Sequence, residues 1–426
     1  MNNNSIKLAD PKQAVIGVLI FLFPFLSLIT PFGIGLASFT FLIAALFFLK
    51  PGLGALRRHW REVRWVVIFF AFNFFYTVAC FALRDQSLGD VEKPARMLFA
   101  VSAMMLVMAV KPERKSLWWG VIGGAFVAML LVGYQRVVLG EDRPGGLLNA
   151  ITFGDIALSL GLIALAAMID VRSVRKVFWP AIGALAGLAA STLTGTRGGW
   201  LGLVLCGLLF IQYSHVLNNR RVRAVVAFTF AFMAATYFVP ETGVRERVRQ
   251  GILDITTYFS GGSAFTNVGV RLELWKAAGI LIEDAAVLGR GEEGYRKVLE
   301  PLVREGELDP VVLEMPHFHN EALQAMVTGG VVGFAAWFGM ILAPFAFFTR
   351  AMRVKNASKQ EFATALAGIL LVTSYFGYGL TEVIFWSVKG AMFYALMVFL
   401  LMGFYLNAKE ANASDSSRHS REGGNP

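Results

Sequence analysis

The chain has 426 residues, of which 56% are hydrophobic and only 16% charged, with a mean hydropathy of +0.59 and a formal net charge of +10. A soluble fold of this size needs a far larger polar surface, so the composition excludes one and points to a membrane protein. The basic excess has no soluble basic domain to sit in, which argues against nucleic acid as a partner and for topology signal plus attraction to anionic membrane lipids.

Long apolar runs recur from end to end, each able to cross roughly 30 Å of hydrocarbon as a helix. The first, 13–31, is long and lacks an Ala-x-Ala ending, so it reads as a retained helix rather than a cleaved signal. Runs at 33–49, 65–83, 95–110, 117–139, 151–169, 177–194, 199–214 and 224–239 complete nine expected spans within residues 1–239. Residues 240–320 form one long polar loop, spans at 322–348, 361–384 and 388–406 fill residues 321–406, and 407–426 is a polar tail expected to be disordered. The expected fold is therefore an all-α integral membrane protein with about twelve transmembrane helices and a large loop between spans nine and ten.

Orientation follows from Lys and Arg, which are retained on the cytoplasmic side during insertion. With the N-terminus inside, 23 of the 39 basic residues fall in cytoplasmic segments, and the inverted topology reverses that bias. The long loop then lies outside. Within it, Val244–Ile255 and Arg271–Ile282 carry apolar residues at three- and four-residue spacings, the pattern of amphipathic helices. Leu-Gly-Arg-Gly-Glu-Glu-Gly-Tyr (288–295) follows, its glycines permitting turns where backbone approaches something closely. A dinucleotide site is rejected there, because no strand–turn–helix unit fits a loop bracketed by spans. Cys80 and Cys206 both fall in apolar runs and imply no disulfide or thiolate metal site.

Ionisable residues are scarce inside the runs, which argues against a permease that coordinates an ion halfway across. Charge gathers instead at the outer rim: Arg143 in Glu-Asp-Arg-Pro-Gly-Gly, Arg197 in Thr-Gly-Thr-Arg-Gly-Gly-Trp, Arg271 in Arg-Leu-Glu-Leu-Trp, and His319 in Pro-His-Phe-His-Asn-Glu. Three cations beside an imidazole suit an anionic substrate. Arg197 stands at the mouth of a tight hairpin near a helix N-terminus, a place that suits phosphate. Taken alone, it also reads as a snorkelling interfacial arginine, and Arg271 and His319 are open to structural readings in the same way. His317 and His319 lack a nearby Asp or Cys set, so they do not read as a dedicated zinc site.

Taken together, Thr-Gly-Thr-Arg-Gly-Gly-Trp-Leu-Gly from residue 194, Arg271 with Trp275, the 288–295 stretch, and His319-Asn320 entering the next span resemble the O-antigen ligase and polymerase superfamily. The resemblance runs from residue 190 to 345, with Arg143–Gly154 the one faintly similar stretch before it. It implies a GT-C-like architecture with a helical periplasmic loop in the bacterial inner membrane. It also implies glycan transfer from undecaprenyl pyrophosphate at the periplasmic face, which in the ligases delivers O-antigen to the lipid A–core. On that pattern His319 is the general base, Arg197 and Arg271 bind the pyrophosphate, and Arg143, Arg290 and Glu321 are candidate helpers. With no Asp-x-Asp in any outer connection, no metal and no cofactor are expected, and direct displacement inverts the anomeric carbon. A chain polymerase, a protein O-oligosaccharyltransferase and, more remotely, a lipid-linked-glycan flippase are the alternatives.

Overall fold

The computed structural model describes residues 10–83, 88–171, 174–196, 198–212 and 244–422, with a few single residues between 220 and 231. Among them the chain is all-helical, without a strand. In chain order the helices are α1 (Pro11–Leu26), α2 (Gly33–Phe47), α3 (Leu49–Arg58), α4 (Trp60–Leu83), α5 (Leu88–Phe99), α6 (Val101–Val110), α7 (Lys115–Val137), α8 (Ala150–Asp170), α9 (Val174–Leu193) and α10 (Gly198–Gln212). After the undescribed stretch come α11 (Val244–Phe259), α12 (Gly269–Asp284), α13 (Glu292–Arg304), α14 (Val311–Glu314), α15 (Glu321–Met352), α16 (Lys359–Gly379) and α17 (Val388–Glu422).

Among the described residues, eight helices are long and apolar enough to cross a membrane, or nine if the bent pair α2 and α3 is one span, and α1 and the first part of α10 are shorter apolar helices. The chain is thus an all-α integral membrane protein. Every expected span except the ninth coincides with one of these apolar helices; all but three single residues of the ninth, 224–239, lie outside the described residues. The second span breaks at Phe48, where α2 and α3 meet at 92°. The cause is composition: α3 carries Lys50, Pro51, Arg57 and Arg58, which cannot continue into hydrocarbon.

Burial sorts the helices. Of the apolar windows, 94% of α8, 89% of α16 and 94% of α17 are buried against 17% of α4, so the first three form the centre and α4 faces lipid. A membrane interior offers little hydrophobic drive between helices, and close backbone approach at small residues takes its place. At the α8–α9 crossing a Cβ on Gly187 would stand 2.6 Å from Gly161 Cα, and at the α10–α16 crossing one on Gly377 would stand 2.4 Å from Gly202 Cα.

The helices of residues 244–314 pack at one end over a small core of their own, in which Leu274, Leu281, Tyr295, Leu299 and Phe318 close against Val327 of α15. The other end is held by ion pairs: Arg114 donates two bonds to Asp170, and Trp118 Nε1 donates to the same carboxylate at 2.7 Å. There the structure corrects the expected disordered tail from residue 407. Helix α17 continues to Glu422, and its extension is fastened by contacts that local composition does not reveal. Lys409 meets Glu62, Glu410 meets His59 and Lys111, and Asn412 donates to Glu361.

Candidate active site

The His319 loop is built on the start of α15. Asn320 is the N-cap, its Oδ1 accepting from Leu323 N while its Nδ2 donates to Leu380 O at 3.2 Å. One side chain therefore both caps α15 and ties it to the turn after α16. Gln324, one helical turn on, accepts from Phe318 N, and Trp275 Nε1 of α12 donates to Phe318 O at 3.1 Å. Tyr295 and Arg296 both donate to Pro316 O. Held from three helices, His319 keeps a positive φ of 49°, strain that surrounding bonds sustain at functional positions.

Glu382, in the turn between α16 and α17, is the partner that sequence reasoning missed. Its Oε2 lies 3.0 Å from His319 Nδ1 and its Oε1 lies 3.2 Å from His317 Nε2. The backbone N–H of His319 donates to His317 Nδ1 at 3.4 Å, which places the proton of a neutral His317 on Nε2, toward Glu382. For His319, an Nδ1–H donating to Glu382 leaves the Nε2 lone pair available to take a proton. Burial drives the His317 ring down to about 4, with Glu382 pulling up and His319 pushing down. Burial raises the Glu382 carboxyl, but the His319 hydrogen bond and the two rings outweigh it and hold it below the usual range. Ligand atoms of His317, His319 and Glu382 also lie within 4.8 Å of one another, so the trio offers a two-histidine, one-carboxylate set to a divalent cation.

The expected site residues divide. Arg271, at the start of α12, is drawn down by burial, raised by the nearby charge of Glu382 and lowered by that of Arg143, so Arg271 stands in the field of the Glu382 carboxylate with Arg143 near it. Arg197 lies outside the described residues; Gly198, next to it, is packed against Thr381. Arg290 is turned to an ion pair with Asp284. Glu321 is directed away from His319: its Oε2 accepts from Phe385 N, and it lines a separate cavity.

The glycines at 289 and 291 serve a close approach, as their spacing implied, but the partner is α15. That helix breaks at Gly330 (φ 59°), and the chain at 286–291 bonds across the break, Arg290 N to Val327 O, Gly291 N to Thr328 O and Val331 N to Ala286 O. Tyr76 of α4 donates to Gly329 O at 2.8 Å. Backbone groups released by the kink are thereby satisfied inside the bundle.

An all-helical membrane bundle with histidine, carboxylate and arginines gathered at one end defines a polytopic protein with a polar site at its rim. Residues 182–338 match the model of the family described as O-antigen ligase, a likeness that supports the O-antigen ligase superfamily. The matched stretch includes Arg197, Arg271 and His319. The chain is also similar to an uncharacterized protein of Haemophilus influenzae, 24% identical over 346 residues that cover 80% of this chain and 86% of the relative.

Proposed function

We propose that this protein is an O-antigen ligase: an inverting, metal-independent glycosyltransferase that moves O-antigen polysaccharide from undecaprenyl pyrophosphate to the lipid A–core at the periplasmic face of the inner membrane. The observation that carries this reading is the His319–Glu382 pair, with one imidazole nitrogen held by the carboxylate and the other free, beside Arg271 and Arg143. His319 takes the proton from the acceptor hydroxyl as its oxygen attacks the anomeric carbon, and Glu382 steadies the imidazolium that forms. As the sugar–phosphate bond breaks, charge grows on the pyrophosphate, where Arg271 and Arg197 serve as fixed, bidentate cations. Arg143 adds to that field.

The test is ligation by the purified protein with undecaprenyl-pyrophosphate-linked O-antigen and lipid A–core in EDTA. Transfer in EDTA supports the reading. Activity that EDTA abolishes and a divalent cation restores assigns the His317–His319–Glu382 trio to a metal instead. Donor elongation or transfer to protein moves the chain to a polymerase or protein O-oligosaccharyltransferase, and donor movement without bond cleavage moves it to a flippase.

A further inference from the structure

Beside the His319–Glu382 pair lies a cavity of about 410 Å³ that this chemistry does not use. Its walls come from the second half of α4, α5, the start of α13 at Glu292, α15 and the turn at 383–388. Val383, the residue after Glu382, Phe385, three residues on, and Glu321, two residues after His319, make it a neighbour of the reacting groups, whereas Arg271 and Arg143 are not among its walls.

Three features define what it accepts. Lys93 stands among three acids, Asp90, Glu292 and Glu321, so the cavity offers a pyrophosphate no excess of positive charge. The hydrogen-bonding groups are mixed, with acids, an ammonium and the Asn73 amide together, as hydroxyl-rich rings require. Two walls are indoles. Trp386 is 40% exposed, offering a flat apolar face, and Trp337 is 94% buried with its Nε1–H unbonded among the described residues, a donor left for something the cavity receives.

We propose that this cavity is a saccharide subsite that takes a neutral ring of the acceptor glycan. The assignment rests on the transferase reading above and fixes where the second substrate stands. Inversion requires the attacking hydroxyl to come from the face opposite the leaving group. The arginines hold the leaving group, and the cavity lies beside His319 on walls they do not share.

The experiment measures binding separately from turnover, on the full-length protein in detergent. The probe is dephosphorylated core oligosaccharide, titrated calorimetrically into wild type, Trp337→Phe, which removes the indole N–H together with part of the ring, and Asn73→Leu. Wild type is expected to bind, and each variant about three- to tenfold more weakly, the scale of one neutral hydrogen bond. The thermal midpoint should stay within error for Asn73→Leu and fall for Trp337→Phe by the loss of buried ring, while affinity for undecaprenyl pyrophosphate should stay within about twofold of wild type in both. Absence of wild-type binding, equal binding by all three, or weakening of the polyprenyl pyrophosphate instead overturns the subsite. If the oligosaccharide binds and the variants weaken it while no ligation occurs with that acceptor, the subsite stands and the ligase reading falls. Ligation with an unchanged acceptor KM in both variants does the reverse.

Discussion

Two histidine–carboxylate clusters stand at opposite ends of this bundle, and they are built on opposite ratios. At one end His59 lies between two acids, 3.2 Å from Glu62 and 2.8 Å from Glu410, and each acid is further paired, with Lys409 and Lys111 respectively. The hydrogen bond to Glu62 raises the His59 pKa against its own burial, with Glu410 adding to the rise. At the other end two imidazoles share the single carboxylate of Glu382. The 22 steps of α17 from Val388 to Glu410 separate the two ends by about 33 Å at helical rise. Two acids per ring occupy both nitrogens and make a staple. Two rings per acid leave a nitrogen that can receive a proton.

The largest expected effect tests that contrast directly. His319→Gln should lower transfer by about 10²- to 10⁴-fold, the usual worth of a general base, while His59→Gln should leave it within about twofold because that ring touches nothing reactive. Comparable losses in both would erase the distinction. Glu382→Gln comes next. The imidazole remains but loses the charge that orients it and steadies its protonated form, so a loss of about ten- to a hundredfold in kcat is expected, with an altered pH–rate profile. A Glu382→Gln enzyme with unchanged rate and profile would reduce the pair to a structural contact.

How much of this could be read beforehand depends on which residues speak through local pattern. The spans are legible because apolarity over a helix length is a local property, and His319 is legible because Asn320 and a span follow it at once. Glu382 was hidden inside the expected span 361–384; the helix in fact stops at Gly379, and only the Gly-Leu-Thr-Glu sequence that follows hints at a turn. Arg290 and Glu321 attracted notice as neighbours in sequence, yet the chain turns sharply at His319 (φ 49°) before the helix begins, so Glu321 faces the cavity while His319, two residues back, faces Glu382. Asp155 was passed over inside a span, although neither of its carboxylate oxygens finds a partner among the described residues. The tail misled because its fastening contacts span up to 351 residues of sequence, from His59 to Glu410.

Backbone substitutions sharpen the comparison at a smaller scale. A Cβ on Gly330 would stand 2.3 Å from Val287 O at a φ of 59°, so Gly330→Ala should cost about 1–3 kcal/mol or more and lower the thermal midpoint. Gly54, in α3 near the staple, has nothing within 4 Å of its would-be Cβ, and Gly54→Ala should be neutral or stabilising by up to about 1 kcal/mol. Equal midpoints for the two variants would mean that the break in α15 is not under tight packing.

The smallest effects are the pH dependences, and their signs should oppose. His59 has a folded pKa raised above 6.5, so its contribution to stability is full below 6.5 and is lost as pH climbs through the folded value. His317 has a folded pKa lowered to about 4, so the unfolded chain takes up a proton that the folded site refuses. Its contribution is full above 6.5, shrinks as pH falls from 6.5 toward 4, and changes no further below that. Thermal midpoints of His59→Gln should therefore decline less than wild type on the alkaline side of 6.5, and those of His317→Asn less than wild type on the acid side. If instead His317→Asn flattened the alkaline limb, that ring would be carrying a proton shared with Glu382, and the site end would be a second staple rather than a poised base.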